Sequence, residues 1–451
     1  MTRAALAIAG GAVLLAWPAL LNSYPIVFSD TGAFLFQALG PFMVWDKPWI
    51  YGPMLLALHG QTTLWLPLAG QVLLVSWMLW LTQAAFRPAS ARLHLVLVGL
   101  LAALTPAPWV ASLLMPDIFA PLTVLGVFLL AYGTRLPPVA RGVVMAATML
   151  GIAAHLSHLI IAAACVLAVL LIRWRWRPAL LAGAPLAGAV ALLMLTNALG
   201  HGRPGISPFG SVFMLARLAG DGLVEPVLAE RCPRAGWRLC AWQGRLPTDS
   251  DVFLWSGTGP VWSTPGGPIA LAAEASHIVR ATLLSDPLTA LRAASANALR
   301  QLTLIRVGDT LGPEHLAATV GLRLSEYFPP EEQRRFAASL QARGSLRAAA
   351  APFVTWQPCV IALAAIASLG TFMVAVMRRD ACLTGICMVI MVGCTANAIA
   401  TGALSNPHYR YQARIAWLLM LPPVAAAWRR RNRIDTPDRG PAIAPSSYNS
   451  L

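Results

Sequence analysis

Apolar runs close to 20 residues long recur near both ends of the chain, and short polar segments rich in arginine separate them. A helix rises about 1.5 Å per residue, so about 20 residues cross about 30 Å of hydrocarbon. A helix also satisfies its own backbone, as lipid requires. The pattern predicts ten membrane spans, near residues 4–21, 62–86, 93–111, 118–134, 140–155, 158–172, 178–199, 352–377, 381–403 and 411–428.

Composition agrees with this all-α, polytopic membrane class. The chain of 451 residues is 57% hydrophobic and 11% charged, whereas soluble domains are about 25% charged. The first run, 4–21, follows Arg3 and resembles a signal peptide. No small-x-small cleavage site follows it, so we expect it to be retained as the first span.

The net charge of +15 reports membrane topology, because fourteen arginines lie in alternate short loops and at the chain ends. They are Arg3, Arg87, Arg92, Arg135, Arg141, Arg173, Arg175, Arg177, Arg378, Arg379, Arg429, Arg430, Arg431 and Arg433. This alternation is typical of cytoplasmic loops. We therefore expect an integral protein of a bacterial inner (plasma) membrane, with both termini cytoplasmic, contacting anionic membrane lipid and no nucleic acid.

The topology predicts four regions. Residues 1–199 form a membrane domain of about seven spans, with outer loops at 22–61 and 112–117. Residues 200–351 form a mostly helical periplasmic or extracellular domain, with helix-like patterns near 270–303 and 331–343. Residues 352–428 supply about three more spans, and 429–451 are a cytoplasmic tail.

Two of the seven cysteines, Cys232 and Cys240, lie in the predicted outer domain, and the others lie in apolar spans. In an oxidising compartment this pair favours a disulfide, with two unpaired thiols as the alternative. The sequence contains no zinc-like spacing, P-loop or dinucleotide fingerprint, so nothing indicates an ATP-driven or redox enzyme.

Acidic residues are rare in the first 199 positions: Asp30, Asp46 and Asp117 are the whole set. The topology places all three at the outer face. Ionisable groups at membrane depth are costly and usually functional. The alternative for Asp30 and Asp117 is helix capping, because each precedes an apolar helical run.

Lys47 is the only lysine of the chain, and it lies in an aromatic and proline-rich stretch, Trp45 to Pro53. Such a stretch could equally be an interfacial anchor in which Lys47 pairs with Asp46. His155 and His158 are spaced i, i+3 and therefore share a helix face. Buried histidines in apolar runs are usually satisfied polar groups, but a pair on one face is also a candidate site.

Four segments together resemble the GT-C membrane glycosyltransferases, and especially the users of polyprenyl-phosphate sugars, such as protein O-mannosyltransferases and lipid A aminoarabinose transferases. They are Ser29-Asp30-Thr31-Gly32-Ala33-Phe34, Asp46-Lys47-Pro48-Trp49, Ser112-Leu113-Leu114-Met115-Pro116-Asp117 and Pro407-His408-Tyr409-Arg410-Tyr411. The resemblance covers 1–199 and 352–428. Many relatives carry a lysine-containing segment where this chain has His155-Leu156-Ser157-His158, and 200–351 matches no known acceptor-recognition domain.

The resemblance implies an inverting transferase with a lipid-linked donor sugar and an acceptor, of unknown class (glycan, lipid or protein), entering from outside. Asp30 would be the catalytic carboxylate, and Lys47 and Arg410 would hold the donor phosphate. Asp117 would position the acceptor or hold a divalent cation, since family members differ in metal use. The remaining pocket candidates are Asp46, His155, His158, Tyr409 and Tyr411.

Two other functions fit the same composition. A transporter or flippase would also line a cavity with polar residues, although transporters usually place charges near the midplane and show two similar halves. The acids here cluster at one face, and no internal repeat is visible. A non-enzymatic membrane assembly protein would assign no role to Asp30.

The cysteine spacing generates the first prediction. Mass mapping of peptides from freshly isolated, non-reduced membranes should recover the peptides of Cys232 and Cys240 as one linked species. Recovery of both as free thiols would exclude the disulfide.

Overall fold

The computed structural model describes residues 2–40, 42–173 and 175–435. Within them the secondary structure is helical, apart from an isolated parallel bridge between Ile26 and Leu113. Residues 436–451 of the predicted tail lie outside the described residues.

The first 201 residues form short and long helices in alternation. They are α1 (Arg3–Leu15), α2 (Trp17–Asn22), α3 (Ser29–Leu39), α4 (Tyr51–His59), α5 (Trp65–Phe86), α6 (Ala91–Leu104), α7 (Ala107–Ser112), α8 (Phe119–Tyr132), α9 (Pro138–Ala153), α10 (Leu156–Arg173) and α11 (Trp176–His201). A 3₁₀ turn, Pro116–Ile118, precedes α8.

Residues 200–351, predicted to lie outside and called the outer segment here, are also helical. The outer segment contains α12 (Gly210–Gly220), α13 (Val224–Ala235), α14 (Ser250–Trp255), α15 (Pro260–Ser263), α16 (Gly267–Ser285), α17 (Pro287–Thr303), α18 (Leu322–Tyr327), α19 (Pro330–Ala338) and α20 (Leu346–Val354), with a 3₁₀ turn at Arg238–Trp242 and a π turn at Ala317–Gly321. The chain ends with α21 (Gln357–Met377), α22 (Ala381–Gly402), α23 (Tyr409–Ala416), a 3₁₀ turn at Trp417–Met420 and α24 (Leu421–Asp435).

Five described helices are long and apolar enough to cross a membrane: Trp65–Phe86, Leu156–Arg173, Trp176–His201, Leu346–Met377 and Ala381–Gly402. The other predicted spans coincide with shorter helices. Two of them are broken where proline removes a backbone donor, at Pro18 and at Pro106 with Pro108. The helical membrane class is therefore supported, and the count of ten spans stays a prediction.

Helix α8 lies at the centre of the membrane part. All fourteen of its residues are buried, and it packs against α5, α9, α10, α11 and α22. Small residues allow this close packing. An added Cβ at Gly126 would come within 2.0 Å of the Thr148 hydroxyl on α9, and one at Gly393 would meet Val124 at 2.6 Å.

The predicted outer domain divides into two parts. Its first part has a separate hydrophobic core, and Trp45 of the first outer loop packs against this core. The core includes Phe209, Val212, Leu215, Phe253, Val261, Leu271 and Ile278. Its second part belongs to the same core as the membrane helices, through residues that include Leu311, Leu316, Val320, Leu324, Phe328, Phe336 and Leu346. Sequence patterns gave no sign of this division.

The second part holds the first outer loop in place. The buried carboxylate of Glu332 accepts hydrogen bonds from the Tyr24 hydroxyl at 2.7 Å and the Leu64 backbone N–H at 2.8 Å. The Gln341 side chain accepts from the Val27 N–H at 3.1 Å and donates to the Val27 carbonyl at 2.7 Å. The backbone just before α3 is therefore fixed at the outer end of the bundle.

Helix α17 fixes a second loop, the one that leads into α23. It packs along α22. The Gln301 side chain donates to the His408 carbonyl at 2.8 Å and accepts from the His408 N–H at 2.9 Å. The direction in which Arg410 leaves this loop is set by that pair of hydrogen bonds.

The fold generates a topology prediction. Cysteine introduced at exposed Thr258, in the outer segment, should react with a membrane-impermeant maleimide on intact cells. Cysteine at exposed Arg175, between α10 and α11, should react only with a permeant reagent. The reverse pattern would invert the topology.

Candidate functional site

Asp30 lies in the first turn of α3, where a negative charge is favourable at the helix N-terminus. It does not cap the helix. Phe28 occupies the N-cap position, and its N–H donates to the Thr31 hydroxyl at 3.0 Å. Within the part of the chain that the structure describes, the Asp30 carboxylate pairs with side-chain cations and with no backbone N–H.

Lys47 is one of those cations. Its Nζ lies 3.3 Å from Asp30 Oδ1 and also pairs with the Asp46 carboxylate. The ring of Trp255, from the outer segment, lies 5.6 Å from the ammonium, within the range of a cation–π contact. The alternative pairing of Lys47 with Asp46 is thus present in the structure, together with the contact to Asp30.

Arg410 is the other cation. Its Nη2 lies 3.7 Å from Asp30 Oδ2. The guanidinium is held between the rings of Phe28, at 4.4 Å, and Tyr411, at 4.9 Å. Its buried Nη1 has no hydrogen-bond partner among the described residues. The group is therefore oriented from two sides and keeps one unused donor nitrogen.

Backbone hydrogen bonds place Arg410 and the segments that carry the two acids. Asp309 Oδ2 accepts the Arg410 backbone N–H at 3.0 Å. The Ile26 N–H donates to the Ser112 carbonyl at 3.0 Å, and the Leu114 N–H donates to the Ile26 carbonyl at 2.8 Å. This backbone pairing joins the loop before Asp30 to the turn before Asp117, so the two acids lie on adjacent segments.

The opposite charges of Asp30, Lys47 and Arg410 stabilise each other's ionised forms. Burial disfavours ionisation, yet the positive charges of Lys47 and Arg410 hold the pKa of Asp30 below its usual range. Burial also disfavours the ammonium, yet Asp30 and Asp46 raise the pKa of Lys47 above its usual range. Asp30 is consequently a carboxylate and Lys47 an ammonium at neutral pH.

Asp117 belongs to a second, buried network that sequence reasoning missed. Arg414 Nη1 lies 3.3 Å from Asp117 Oδ1. The same guanidinium donates to Ser157 Oγ at 2.8 Å and to Asn397 Oδ1 at 2.8 Å. Neither charge reaches solvent. Arginine within the predicted span 411–428 was the signal that could have revealed this network, because such a charge needs a buried partner.

The histidines differ in environment. His155 is half-buried. His155 Nδ1 lies 2.8 Å from Ser157 Oγ, which places it beside the Arg414 network. His158 is buried and bonds the Gly151 carbonyl at 2.7 Å. His155 therefore borders the site, whereas His158 is tied to the backbone of α9.

The two tyrosines also take separate positions. Tyr411 lies under the guanidinium groups of both Arg410 and Arg414, at 4.9 and 5.3 Å. Tyr409 is partly exposed, with the Arg306 guanidinium 5.7 Å from its ring. Tyr411 thus links the two charged networks, and Tyr409 lies at their edge.

A cavity of about 20 Å³ lies between the networks. It is lined by Trp109, Val110, Leu113, Asp117, Arg306, Val307, Asp309, Thr310, Arg410, Ala413 and Arg414. This volume holds about one water molecule. The cavity is therefore charged and small, and it lies beside Arg410, whereas the Asp30 side chain keeps 29% of its surface exposed.

The described side chains form no metal-binding cluster. Across residues 2–40, 42–173 and 175–435, no group of three or more His, Cys, Asp or Glu side chains is placed to hold a metal ion. The Asp117 carboxylate is engaged by Arg414. The residues present therefore do not fit a divalent cation at Asp117.

The structure joins Cys232 and Cys240 by a disulfide, with Cα atoms 5.4 Å apart. It links α13 to the 3₁₀ turn that follows. Cys165, Cys359, Cys382, Cys387 and Cys394 are free.

The Asp117–Arg414 pair generates a stability prediction. Replacing Arg414 with alanine leaves a buried, unpaired carboxylate and should cost about 3–5 kcal/mol of unfolding free energy. The control Arg335→Ala removes an exposed pair with Glu331 and should cost about 1 kcal/mol or less. Thermal unfolding in detergent compares them, and equal losses would contradict the assignment.

Comparison with known protein families, curated proteins and solved structures found no match to this chain.

Proposed function

We propose that the protein is a GT-C-type membrane glycosyltransferase with ten spans, which transfers a sugar from a polyprenyl-phosphate donor to an acceptor at the outer face of the membrane. One observation carries the proposal. The Asp30 carboxylate lies 3.3 Å from Lys47 Nζ and 3.7 Å from Arg410 Nη2, although Arg410 comes from the opposite end of the chain. This combination of one base and two cations is what transfer from a lipid phosphate requires.

Asp30 would act as the general base. As the acceptor hydroxyl oxygen attacks the anomeric carbon, its proton passes to the Asp30 carboxylate. The bond from that carbon to the phosphate oxygen breaks, and the electron pair leaves with the phosphate. The positive charges of Lys47 and Arg410 keep Asp30 ionised before the acceptor arrives, and loss of these contacts to the donor phosphate would make the carboxylate a stronger base.

Lys47 and Arg410 would hold the departing phosphate. Its negative charge increases as the sugar leaves, so fixed cations stabilise the transition state more than the ground state. The free Nη1 of Arg410 supplies a donor for a phosphate oxygen. In the structure both cations neutralise Asp30, and the donor phosphate would take over that contact.

The size of the cavity adds a requirement. A volume of about 20 Å³ admits water and excludes a sugar. A sugar that occupied this cavity would require the first outer loop to separate from the loop before α23; Asp30 does not line the cavity, and its side chain keeps 29% of its surface exposed. Lids that close on substrate are common in enzymes that exclude water from reactive intermediates.

In this proposal Asp117 has a structural role, because it stabilises the residues that carry Arg410. Its carboxylate neutralises Arg414, and Tyr411 lies between Arg414 and Arg410. Asp117 thus holds the position of α23 and takes no part in metal binding.

The location of the charges favours transfer over transport. Asp30 and Lys47 belong to α3 and the loop after it, outside the five candidate spans. A transporter would place its binding charges near the midplane in broken helices. An assembly protein would need these ion pairs only to neutralise charge, and would leave the Arg410 Nη1, which has no partner among the described residues, without a role.

The proposal predicts distinct effects for the three residues. Asp30→Asn keeps the shape but loses the base, and should lower turnover by about 10²–10⁴-fold. Lys47→Ala and Arg410→Ala should each lower kcat/KM for the donor by about 10²–10³-fold. The assay measures transfer of radiolabelled sugar from polyprenyl-phosphate monosaccharides to a cell-envelope extract by the purified protein.

Asp286→Asn is the matched control, because Asp286 is an exposed acid that caps α17 far from the site. It should leave transfer unchanged, since asparagine also caps helices. Wild-type activity in folded Asp30→Asn protein would exclude the general-base role.

A further inference from the structure

A second cavity, of about 310 Å³, lies at the other end of the membrane part, between α21, α22 and α24. It is lined by Ala367, Gly370, Thr371, Val374, Ala375, Arg378, Asp380, Leu383, Ala426 and Arg429. Helix α21 and helix α22 are candidate spans, and only residues 378–380 connect them. The cavity therefore opens where two spans meet the membrane surface, and it is separate from the proposed active site.

The mouth of this cavity carries an excess of positive charge. Arg378 is exposed at the end of α21. Arg429 Nη2 lies 3.4 Å from Asp380 Oδ1, but its buried Nε has no hydrogen-bond partner among the described residues. Asp380 also accepts the Leu383 N–H at 3.1 Å as the cap of α22. Asp380 thus pairs with Arg429 and also caps α22, while Arg378 adds a second positive charge at the mouth.

The wall of the cavity is apolar and formed by small residues. Ala367, Gly370, Thr371 and Val374 follow one another at helical spacing along one face of α21. A Cβ added at Gly370 would meet no atom within 4 Å, so the space beside it is open. Ile366 and Met373 on the same helix are exposed, as expected for residues that face lipid.

We propose that this cavity binds an anionic phospholipid, with its phosphate at Arg378 and Arg429 and an acyl chain along the small-residue face of α21. Basic pockets between membrane helices are suited to phosphate headgroups, and guanidinium groups bind phosphate through paired hydrogen bonds. The apolar wall distinguishes a lipid from a free phosphate ion, because the ion would leave that wall unused. The excess charge distinguishes an anionic lipid from a zwitterionic one.

The test uses the purified full-length chain in detergent, with native mass spectrometry and thermal unfolding. Added phosphatidylglycerol should be retained and should raise Tm, whereas phosphatidylcholine and inorganic phosphate should not. Arg378→Ala and Arg429→Ala should each weaken phosphatidylglycerol binding by about fivefold. Gly370→Leu should also reduce phosphatidylglycerol binding, because the larger side chain would fill the space for the acyl chain while both arginines remain in place.

Arg175→Ala is the matched control, since it removes the same charge from an exposed loop at the same end of the bundle. Its binding should equal that of the wild type, and Arg429→Lys should restore part of what Arg429→Ala loses. Equal weakening by Arg175→Ala would show a general surface effect and overturn the proposal. An equal rise in Tm with inorganic phosphate would also overturn it, in favour of a simple anion site.

Discussion

The arrangement of this protein depends on the cost of placing charges beside lipid. An arginine or aspartate removed from water is stable only with a partner, a hydrogen bond or a ligand. Asp30 meets Lys47 and Arg410, and Asp117 meets Arg414. Because these partners come from distant parts of the chain, pairing the charges also brings the first outer loop, the turn before α8 and the start of α23 together.

The outer segment supplies the positioning that this convergence needs. Glu332 and Gln341 hold the backbone before Asp30 through hydrogen bonds that leave little freedom. Gln301 does the same for the loop before Arg410. The loop before Asp30 and the loop before Arg410 are therefore both held by side chains of the outer segment. The second part of the outer segment is thus a scaffold for the proposed active site.

The two ends of the membrane part use arginine in different ways. At the predicted outer end, Arg414 is buried and Arg410 half-buried among carboxylates and aromatic rings, which restrict their positions. At the other end, Arg378 is exposed and Arg429 is only partly neutralised. Fixed cations suit the stabilisation of charge that develops during a reaction. Accessible cations suit exchangeable contacts with lipid phosphate.

The sequence by itself determined the helical membrane class and drew attention to Asp30 and Lys47, because apolar length and scarce charges are local properties, while Arg410 entered only through the family resemblance. It also paired Cys232 with Cys240 as the favoured alternative. Only the tertiary structure showed that Asp30 pairs with cations instead of capping α3. It alone revealed the partner of Asp117, because Arg414 becomes its neighbour only when α23 packs beside α8. Contacts between residues far apart in sequence depend on helix packing, which no short motif encodes.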